Sequence, residues 1–243
     1  MVNKYSRDVV INPSLCDASM RLGVAQTFDV MMDTAAEHAE KTGLGVYDMA
    51  KKGLGWLTVK TRIHFDDAPK MMDEVISSTW AQKVDESRCE RAYTIEKDGK
   101  LLISGKTEWA VLEAKTGKLH ILRGDIYPED VKLIDEKVLE EPFFKIKSDF
   151  ENAEILGSYK VTSGDVDLYG HMNNAKYAYA LLSLFSSKEL KKLQIRDIEL
   201  VFKSPCFEGD TLEFRKVAND DVLEIRATVG EKTCLFARIE GNI

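Results

Sequence analysis

Residues 165–182, DVDLYGHMNNAKYAYALL, carry the densest set of side chains in this chain that could perform chemistry. Asp167 and His171 lie four residues apart, directly ahead of an apolar pattern with helical spacing. A carboxylate there can activate water or attack a carbonyl, and an imidazole can move a proton or orient an acyl group. The N-terminus of the following helix offers unpaired N–H groups that stabilise an oxyanion. These residues therefore predict a site for attack on a carbonyl carbon.

The same stretch has two other interpretations. Asp165, Asp167 and Gly170 are spaced like the opening of a calcium-binding loop. That loop needs a ligand such as Asp or Asn where Tyr169 stands and a glutamate where Lys176 stands, so the calcium interpretation fails. A plain helix cap is the stronger alternative, because asparagines ahead of an apolar helix bond its free N–H groups. A cap explains the asparagine pair, but it needs neither the histidine nor two acids.

Other parts of the chain offer little competing chemistry. The sequence contains no GxSxG, GxxxxGKS or GxGxxG motif, so a serine nucleophile and a nucleotide site have no support. The four cysteines form no CxxC pair and have no histidine at zinc-ligand spacing. His38 lies near the apolar face of the first predicted helix and is interpreted as a packed residue. Cys206 is interpreted as a small apolar side chain at the start of a strand.

Composition limits the class of protein. The chain has 243 residues and a formal net charge of −7, which argues against a nucleic-acid-binding surface. No stretch approaches the roughly 18 apolar residues of a membrane span, and the start of the chain lacks the apolar run of a secretory signal. We therefore expect a globular protein in a reducing cytoplasm, without a membrane or nucleic-acid partner.

Two periodicities alternate along the chain. Residues 21–40 carry apolar side chains at helical spacing, and Gly43 is placed to end that helix. From Trp56 onward the apolar residues alternate with polar ones, which predicts a strand. A second helix is predicted at 173–185, followed by strands with a turn near Gly230. Further strands in the first half are predicted at 74–82, 88–97 and 101–112.

The second half of the chain repeats the first. Asp17 precedes the first helix as Asp167 precedes the second, at an offset of 150 residues. Asp73 matches Asp210 at an offset of 137, and the extra residues 44–53 account for most of the difference. Each half is a long helix followed by antiparallel strands. The predicted fold class is therefore α+β, a tandem hotdog in which each sheet wraps around a helix.

The two predicted halves differ where the chemistry lies. Arg21 stands in place of His171, and a Gly-Val pair stands in place of Asn173 and Asn174. A single site in the second half is therefore expected. The predicted units are residues 1–125, a charged connector at 126–157, and residues 158–243.

The stretch DVDLYGHMNNAKY closely resembles the signature of acyl-acyl-carrier-protein thioesterases, in which a turn D-x-D-x-N-x-H-x-N-N leads into the second hotdog helix. Three further segments resemble the family's first helix, its following strand pair and its tryptophan hairpin: MMDTAAEHAEKTGLG, GWLTVKTRIHFDDAPKMMDEVISSTW and GKLLISGKTEWAVLEAKTGK. The resemblance covers nearly the whole chain, and the segments occur in the family's order.

The resemblance implies a thioester hydrolase of fatty acid biosynthesis that splits fatty acyl-carrier-protein into free fatty acid and carrier protein, without a metal or organic cofactor. It implies that Asp167 and His171 form the catalytic pair and that Asn173 and Asn174 support the turn and the oxyanion-binding backbone. Asn174 is also counted with the substrate-binding residues. The first half would hold the acyl chain, and the candidates for its wall are Phe28, Met31, Met32, Trp56, Met71 and Met72.

Two positions depart from the family's pattern. Tyr169 stands where the motif has asparagine, so we count it in the catalytic group with altered hydrogen bonding. The family's glutamate ahead of the next Gly-Asp falls on Pro205 or Cys206, and the nearest acid is Glu208. Two alternatives therefore stay open: an acyl-CoA thioesterase on the same fold, which the negative net charge favours, and a non-catalytic acyl-binding protein.

The partner implied by the resemblance is an acyl carrier protein bearing a fatty acyl phosphopantetheine thioester. Such carriers are acidic, so docking needs a basic patch. Its candidates are Lys51, Lys52, Lys60, Arg62, Lys176, Lys191 and Lys192. The internal duplication supplies the pairing that single hotdogs need, so a monomer is sufficient and a homodimer is compatible.

Overall fold

The computed structural model describes residues 3–85, 87–122 and 131–242. The predicted boundary between the first unit and the connector, at 125 and 126, lies outside these described residues. The strands are β1 Lys4–Val10, β2 Leu54–Phe65, β3 Glu74–Val84, β4 Cys89–Lys97, β5 Lys100–Glu113, β6 Glu154–Lys160, β7 Asp197–Phe202, β8 Thr211–Asn219, β9 Val222–Val229 and β10 Lys232–Glu240. The α-helices are α1 Val24–Lys41, α2 Val46–Lys51, α3 Asn174–Leu182 and α4 Ser187–Leu193.

The described strands form one antiparallel sheet in the order β1-β3-β4-β5-β2-β7-β10-β9-β8-β6. The order on one side of the β2–β7 junction mirrors the order on the other, as expected for a duplicated unit. Arg62 of β2 pairs directly with Glu199 of β7, and these residues are related by the offset of 137. The pseudo-twofold axis that relates the halves therefore passes between them.

The two long helices meet at the same axis. Tyr179 of α3 donates a hydrogen bond of 2.6 Å to the carboxylate of Asp29 in α1, and these residues are related by the offset of 150. Around this contact the helices and the sheet share one hydrophobic core, to which Phe28, Met31 and Ala178 belong. The fold is thus α+β, as predicted, with a single sheet wrapped around both helices.

Most predicted elements agree with the structure. The first helix begins at Val24 and ends at Lys41, and Gly43 follows it with a φ of 69°. The second helix ends at Leu182, earlier than predicted. Three of these elements were not predicted: β1, in which exposed residues alternate with half-buried ones, the short helix α2, and α4, which begins with a capping box between Ser186 and Glu189.

Residues 131–153 form no helix or strand. They cross the sheet on the face opposite the helices, because they contact Glu199 and Glu224, whose strand neighbours Ile198 and Ile225 belong to the core. Buried carboxylates hold this segment in place. Glu199 accepts the Phe144 N–H at 2.9 Å, and Glu224 accepts the Ser148 N–H at 3.0 Å. Burial raises the pKa of Glu199 to about 7, although the Phe144 N–H and nearby cations oppose that rise.

Two of the basic residues suggested for carrier docking lie beneath this segment. Lys60 bonds to Glu108 at 3.3 Å and lies 5.1 Å from the centre of the Phe143 ring. Arg62 bonds to Asp197 at 3.0 Å, and its side chain is 13% exposed. Neither side chain therefore offers a free surface charge to an acidic partner.

Candidate active site

The predicted chemistry lies in a tight turn between β6 and α3. The Asp167 N–H donates to the His171 carbonyl at 2.8 Å, and the Gly170 N–H donates back to the Asp167 carbonyl at 2.9 Å. Gly170 has a φ of 75°, a conformation that glycine adopts without steric cost. The turn therefore brings the ends of the Asp-x-x-x-His motif together.

The Asp167 carboxylate is fixed by the backbone of its own turn. Its Oδ1 accepts the Tyr169 N–H at 2.9 Å and the His171 N–H at 3.4 Å. The side chain is half-buried. A carboxylate held in this way has a defined position relative to His171, as a base or nucleophile requires.

The His171 ring packs against the loop between β7 and β8. Its centre lies 5.1 Å from the centre of the Phe207 ring in an edge-to-face arrangement. The Met172 N–H donates to the Cys206 carbonyl at 2.8 Å, which ties this loop to the turn. Lys232 of β10 donates to the Pro205 carbonyl at 2.8 Å. Glu208 is exposed in the same loop.

Asp165 ties the catalytic turn to the residues that precede it. Its carboxylate accepts hydrogen bonds from the N–H and hydroxyl of Thr162, at 2.8 and 2.7 Å, and from the Tyr159 hydroxyl at 2.9 Å. Burial alone would raise the pKa of Asp165, but the bonds from Thr162 and Tyr159 outweigh it and lower that pKa. The first acid of the motif is therefore structural.

The two asparagines define the start of α3. Asn173 is the N-cap, and its side-chain oxygen accepts the Ala175 N–H at 2.9 Å. Asn174 is the first helical residue and is half-buried. The cap interpretation of Asn173 is confirmed, and the cap is compatible with a catalytic turn because it fixes the helix N-terminus beside His171.

Tyr169 reaches from the turn to the first half of the molecule. A Cβ atom at Gly55 of β2 would lie 3.4 Å from the Tyr169 hydroxyl oxygen. This is an ordinary van der Waals distance, so the Tyr169 ring lies close to the β2 backbone at Gly55. The tyrosine that replaces the family's asparagine therefore forms part of the junction between the halves.

An apolar pocket of about 170 Å³ lies in the first half, between α1, the start of α2 and strands β2, β4 and β5. Small side chains of α1, among them Ala35 and Ala39, leave the space open. Trp56 and Trp109 form one wall, with ring centres 6.2 Å apart, edge to face. The Trp56 indole N–H donates to the Leu44 carbonyl at 2.9 Å, which fixes its orientation.

The structure separates the residues that the sequence grouped as substrate-binding. Met32 and Trp56 line the pocket. Phe28 is buried in the core shared by both halves, and Asn174 lies at the start of α3. Among the further candidates, Met31 is buried, whereas Met71 and Met72 are exposed.

Three residues of the site were not identified from the sequence. Gly55, Phe207 and Lys232 acquire their roles through contacts with distant segments. Of these three, only Gly55 could have been suspected from the sequence, since a glycine inside a strand often marks a place where another group approaches the backbone closely.

Cys206 is a poor nucleophile. Its hydrogen bond with the Cys234 thiol, together with burial, raises the pKa of Cys206. Both side chains are fully buried, and the Cys206 N–H donates to the Tyr177 hydroxyl at 3.2 Å. The Cys206 thiol is therefore a packed, protonated group beneath the turn.

Among the described residues, no three His, Cys, Asp or Glu side chains are grouped so as to hold a metal ion. Within the same part of the chain, no helix is both long enough and apolar enough to cross a membrane.

The mirrored sheet, the paired helices and the acid–histidine turn at the second helix define a double-hotdog protein. Comparison with known families agrees with this class. The Acyl-ACP thioesterase N-terminal domain matches residues 2–129, and the Acyl-ACP thioesterase C-terminal domain matches residues 148–235. The chain belongs to the acyl-ACP thioesterase family.

Individual relatives are distant in sequence. A palmitoyl-acyl carrier protein thioesterase, chloroplastic, from Gossypium hirsutum is 23% identical over 96% of this chain. The match spans 61% of that protein, which is less than two thirds of its length.

Solved structures establish the fold. An acyl-ACP thioesterase from Bacteroides thetaiotaomicron is 19% identical with a TM-score of 0.88, over 98% of this chain and 97% of that one. A 12:0-ACP thioesterase from Umbellularia californica is 18% identical with a TM-score of 0.84, over 99% of this chain and 97% of that one.

Proposed function

We propose that this protein hydrolyses fatty acyl-carrier-protein thioesters, releasing a free fatty acid and the carrier protein. The observation that carries this proposal is the contact between the catalytic turn and β2. Tyr169 of the turn lies against Gly55, and the next residue, Trp56, lines the apolar pocket. An acyl chain bound in that pocket would therefore present its thioester near Asp167 and His171.

The side chains of the turn suit thioester hydrolysis. In this scheme Asp167 removes a proton from water as the water oxygen bonds to the carbonyl carbon. The tetrahedral oxyanion then collapses with cleavage of the C–S bond, and the leaving thiolate takes a proton through His171. Apart from the water and the thioester, which are the reactants, the step uses only groups of this chain.

The start of α3 supplies a donor for the oxyanion. The N–H groups on either side of Asn174 already have acceptors: that of Asn173 bonds to the Asp165 carbonyl, and that of Ala175 bonds to the Asn173 side chain. Contacts among the described residues assign no acceptor to the Asn174 N–H. This N–H, at the positive end of the helix dipole, is the donor we assign to the oxyanion.

One chain is sufficient for this function. The unit at 1–125 would hold the acyl chain, and the unit at 158–243 would carry the catalysis. Both contribute to the same site across the β2–β7 junction, so a monomer is complete, and a homodimer would repeat the site. The acyl donor is an acyl carrier protein, in line with the family to which the chain belongs.

The test compares Asp167→Asn with Asp17→Asn, its counterpart in the first half. Hydrolysis is measured on C8–C18 acyl-carrier-protein substrates, with the matching acyl-CoA esters alongside. We expect Asp167→Asn to lower kcat/KM by a factor of about 10² to 10⁴, the usual contribution of a positioned acid or base. Asp17→Asn makes the same change of charge in the equivalent turn and leaves an oxygen that can still accept the Ser19 N–H, so it should retain activity.

Each other outcome has a definite meaning. Equal losses in both variants would make Asp167 a structural residue and overturn its assignment. Turnover of CoA esters alone would identify an acyl-CoA thioesterase. Tight acyl binding without turnover would identify an acyl-binding protein, consistent with Tyr169 and Pro205 at positions where the family has asparagine and glutamate.

A further inference from the structure

A second pocket, of about 220 Å³, lies in the second half. It is on the sheet face opposite α3, because its lining residues on β8 and β9 alternate with core residues such as Phe214 and Ile225. Arg215 of β8 and Arg226 of β9 line it and are direct partners in the strand register. Their side chains therefore stand side by side on one face of the sheet. Like charges directly opposite each other destabilise a sheet, so this arrangement favours a bound anion.

Only one of the two arginines is neutralised. Arg215 donates its Nε–H to Glu213 at 2.8 Å and an Nη1–H to the Ala153 carbonyl at 3.4 Å. Arg226 donates its Nε–H to the Thr233 hydroxyl at 3.0 Å. Among the described residues, the terminal nitrogens of Arg226 have no hydrogen bond or ion pair. The remaining carboxylate of the pocket, Glu151, is exposed.

The first half lacks this cationic pair. The positions equivalent to Arg215 and Arg226 are Ser78 and Thr94, which are also direct register partners. Both of these residues are neutral and buried. The sheet geometry therefore does not require arginines here, and the pair is a property of the half that carries the catalytic turn.

A series of side-chain contacts connects Arg226 with the turn that contains Asp167 and His171. Arg226 bonds to Thr233, which follows Lys232 in β10. The Lys232 ammonium lies 5.7 Å from the centre of the Phe207 ring, and that ring packs against His171. The cationic pocket and the catalytic turn therefore lie at the same end of the second half.

We propose that the pocket between Arg215 and Arg226 binds the phosphate group of the thioester donor, at the far end of its pantetheine arm. A guanidinium matches two phosphate oxygens with two parallel N–H donors. The Thr228 hydroxyl, on the same pocket wall, can add a further hydrogen bond. The identity of the donor rests on the proposed function, whereas the binding of phosphate rests on the pocket alone.

The kinetic test uses two substrates that differ only in phosphate: an acyl-4′-phosphopantetheine and the corresponding acyl-pantetheine. The measured quantity is the ratio of their kcat/KM values. We expect the wild type to favour the phosphorylated substrate by about tenfold, as the loss of one charge-assisted bond would predict. Arg226→Gln should abolish that preference through KM.

Arg196→Gln is the matched control, because Arg196 forms an exposed ion pair with Asp221 elsewhere on this half. It makes the same change of charge and should keep the preference of the wild type. A ratio near one in the wild type would overturn the proposal, as would an unchanged ratio in Arg226→Gln.

A second measurement does not depend on hydrolysis. Inorganic phosphate should raise the Tm of the wild type above its value in chloride of equal ionic strength, and Arg226→Gln should remove that rise. If the wild type hydrolyses no thioester but keeps an Arg226-dependent rise, the proposed function fails and the phosphate site stands. If it hydrolyses thioesters without the rise or the preference, the phosphate site fails and the function stands.

Discussion

The turn that precedes α1 and the turn that precedes α3 share one backbone design. In each, an aspartate N–H donates to the carbonyl four residues later, at 2.9 Å from Asp17 to Arg21 and at 2.8 Å from Asp167 to His171. In each, the aspartate Oδ1 accepts the N–H two residues later, at 2.8 and 2.9 Å. An aspartate at this position is therefore a structural element of both halves.

The two turns differ in the residue four positions after the aspartate. Arg21 donates to the Asp67 carboxylate at 2.7 Å, so its charge is held in an ion pair. His171 has the Phe207 ring as its neighbour, and its imidazole forms no ion pair with any of the described residues. Under the proposed function, the duplicated turn would therefore carry chemistry only in the second half, where a histidine takes the place of the ion-paired arginine.

The strongest test of this difference is His171→Ala against Arg21→Ala. We expect His171→Ala to lower kcat/KM for acyl-carrier-protein by about 10² to 10⁴, because it removes a proton carrier at the reacting bond. Arg21→Ala should retain activity and lose up to about 1 kcal/mol of stability, as for a partly exposed ion pair. Steady-state kinetics measures kcat/KM of the two variants, and urea unfolding measures their stability. Comparable losses of kcat/KM in both variants would show that the two turns are functionally alike.

The residues at the pseudo-twofold axis provide a second test. The pKa of Glu199 is about 7 in the folded protein because of burial, above its value in the unfolded chain. The folded state therefore holds this proton more tightly than the unfolded chain does. The resulting contribution to the free energy of unfolding is present in full at low pH and is lost as the pH rises through 7. The loss amounts to at most about 3 kcal/mol.

Glu199→Gln should remove this pH dependence while keeping an acceptor for the Phe144 N–H. We expect its free energy of unfolding to change less than that of the wild type between pH 5 and pH 8, measured by urea denaturation. Identical pH profiles would show that burial does not shift this carboxyl. Glu208→Gln, on an exposed loop, is the control.

The helix caps provide a smaller contrast. Asn173 caps α3 with its side chain, whereas Gly23 caps α1 without one. Asn173→Ala should cost about 1 kcal/mol of unfolding free energy, and Asn173→Gly, which copies the first half, only a few tenths. No loss of stability in either variant would mean that the side-chain bond to Ala175 contributes nothing, and a large loss of activity in Asn173→Gly would assign the side chain to the reaction.

Backbone strain gives the smallest expected effect. Met20 has a φ of 59° where its counterpart Gly170 has 75°. Met20→Gly should therefore relieve strain of about 1 kcal/mol, reduced by the greater entropy of glycine in the unfolded chain. Thermal unfolding should give a slightly higher Tm; a lower Tm would mean that Met20 is not strained.

Much of the site could be predicted from local pattern. The spacing of Asp167 and His171, the cap at Asn173 and the repeat offsets depend on residues that are close in sequence, and the backbone bonds of the turn agree with them. The role of Asp165 was less accessible, because its partners Tyr159 and Thr162 identify it as structural only when their positions are known.

The sequence by itself therefore determined the turn, the two long helices, most strands and the duplication, because turn chemistry and periodicity act over a few residues. Tertiary structure alone decided which segments meet: Tyr169 with Gly55, and Arg215 with Arg226. These contacts follow from strand register and from packing across the pseudo-twofold axis. Both arise from the free energy of burying the whole core, to which residues far apart in the chain contribute together.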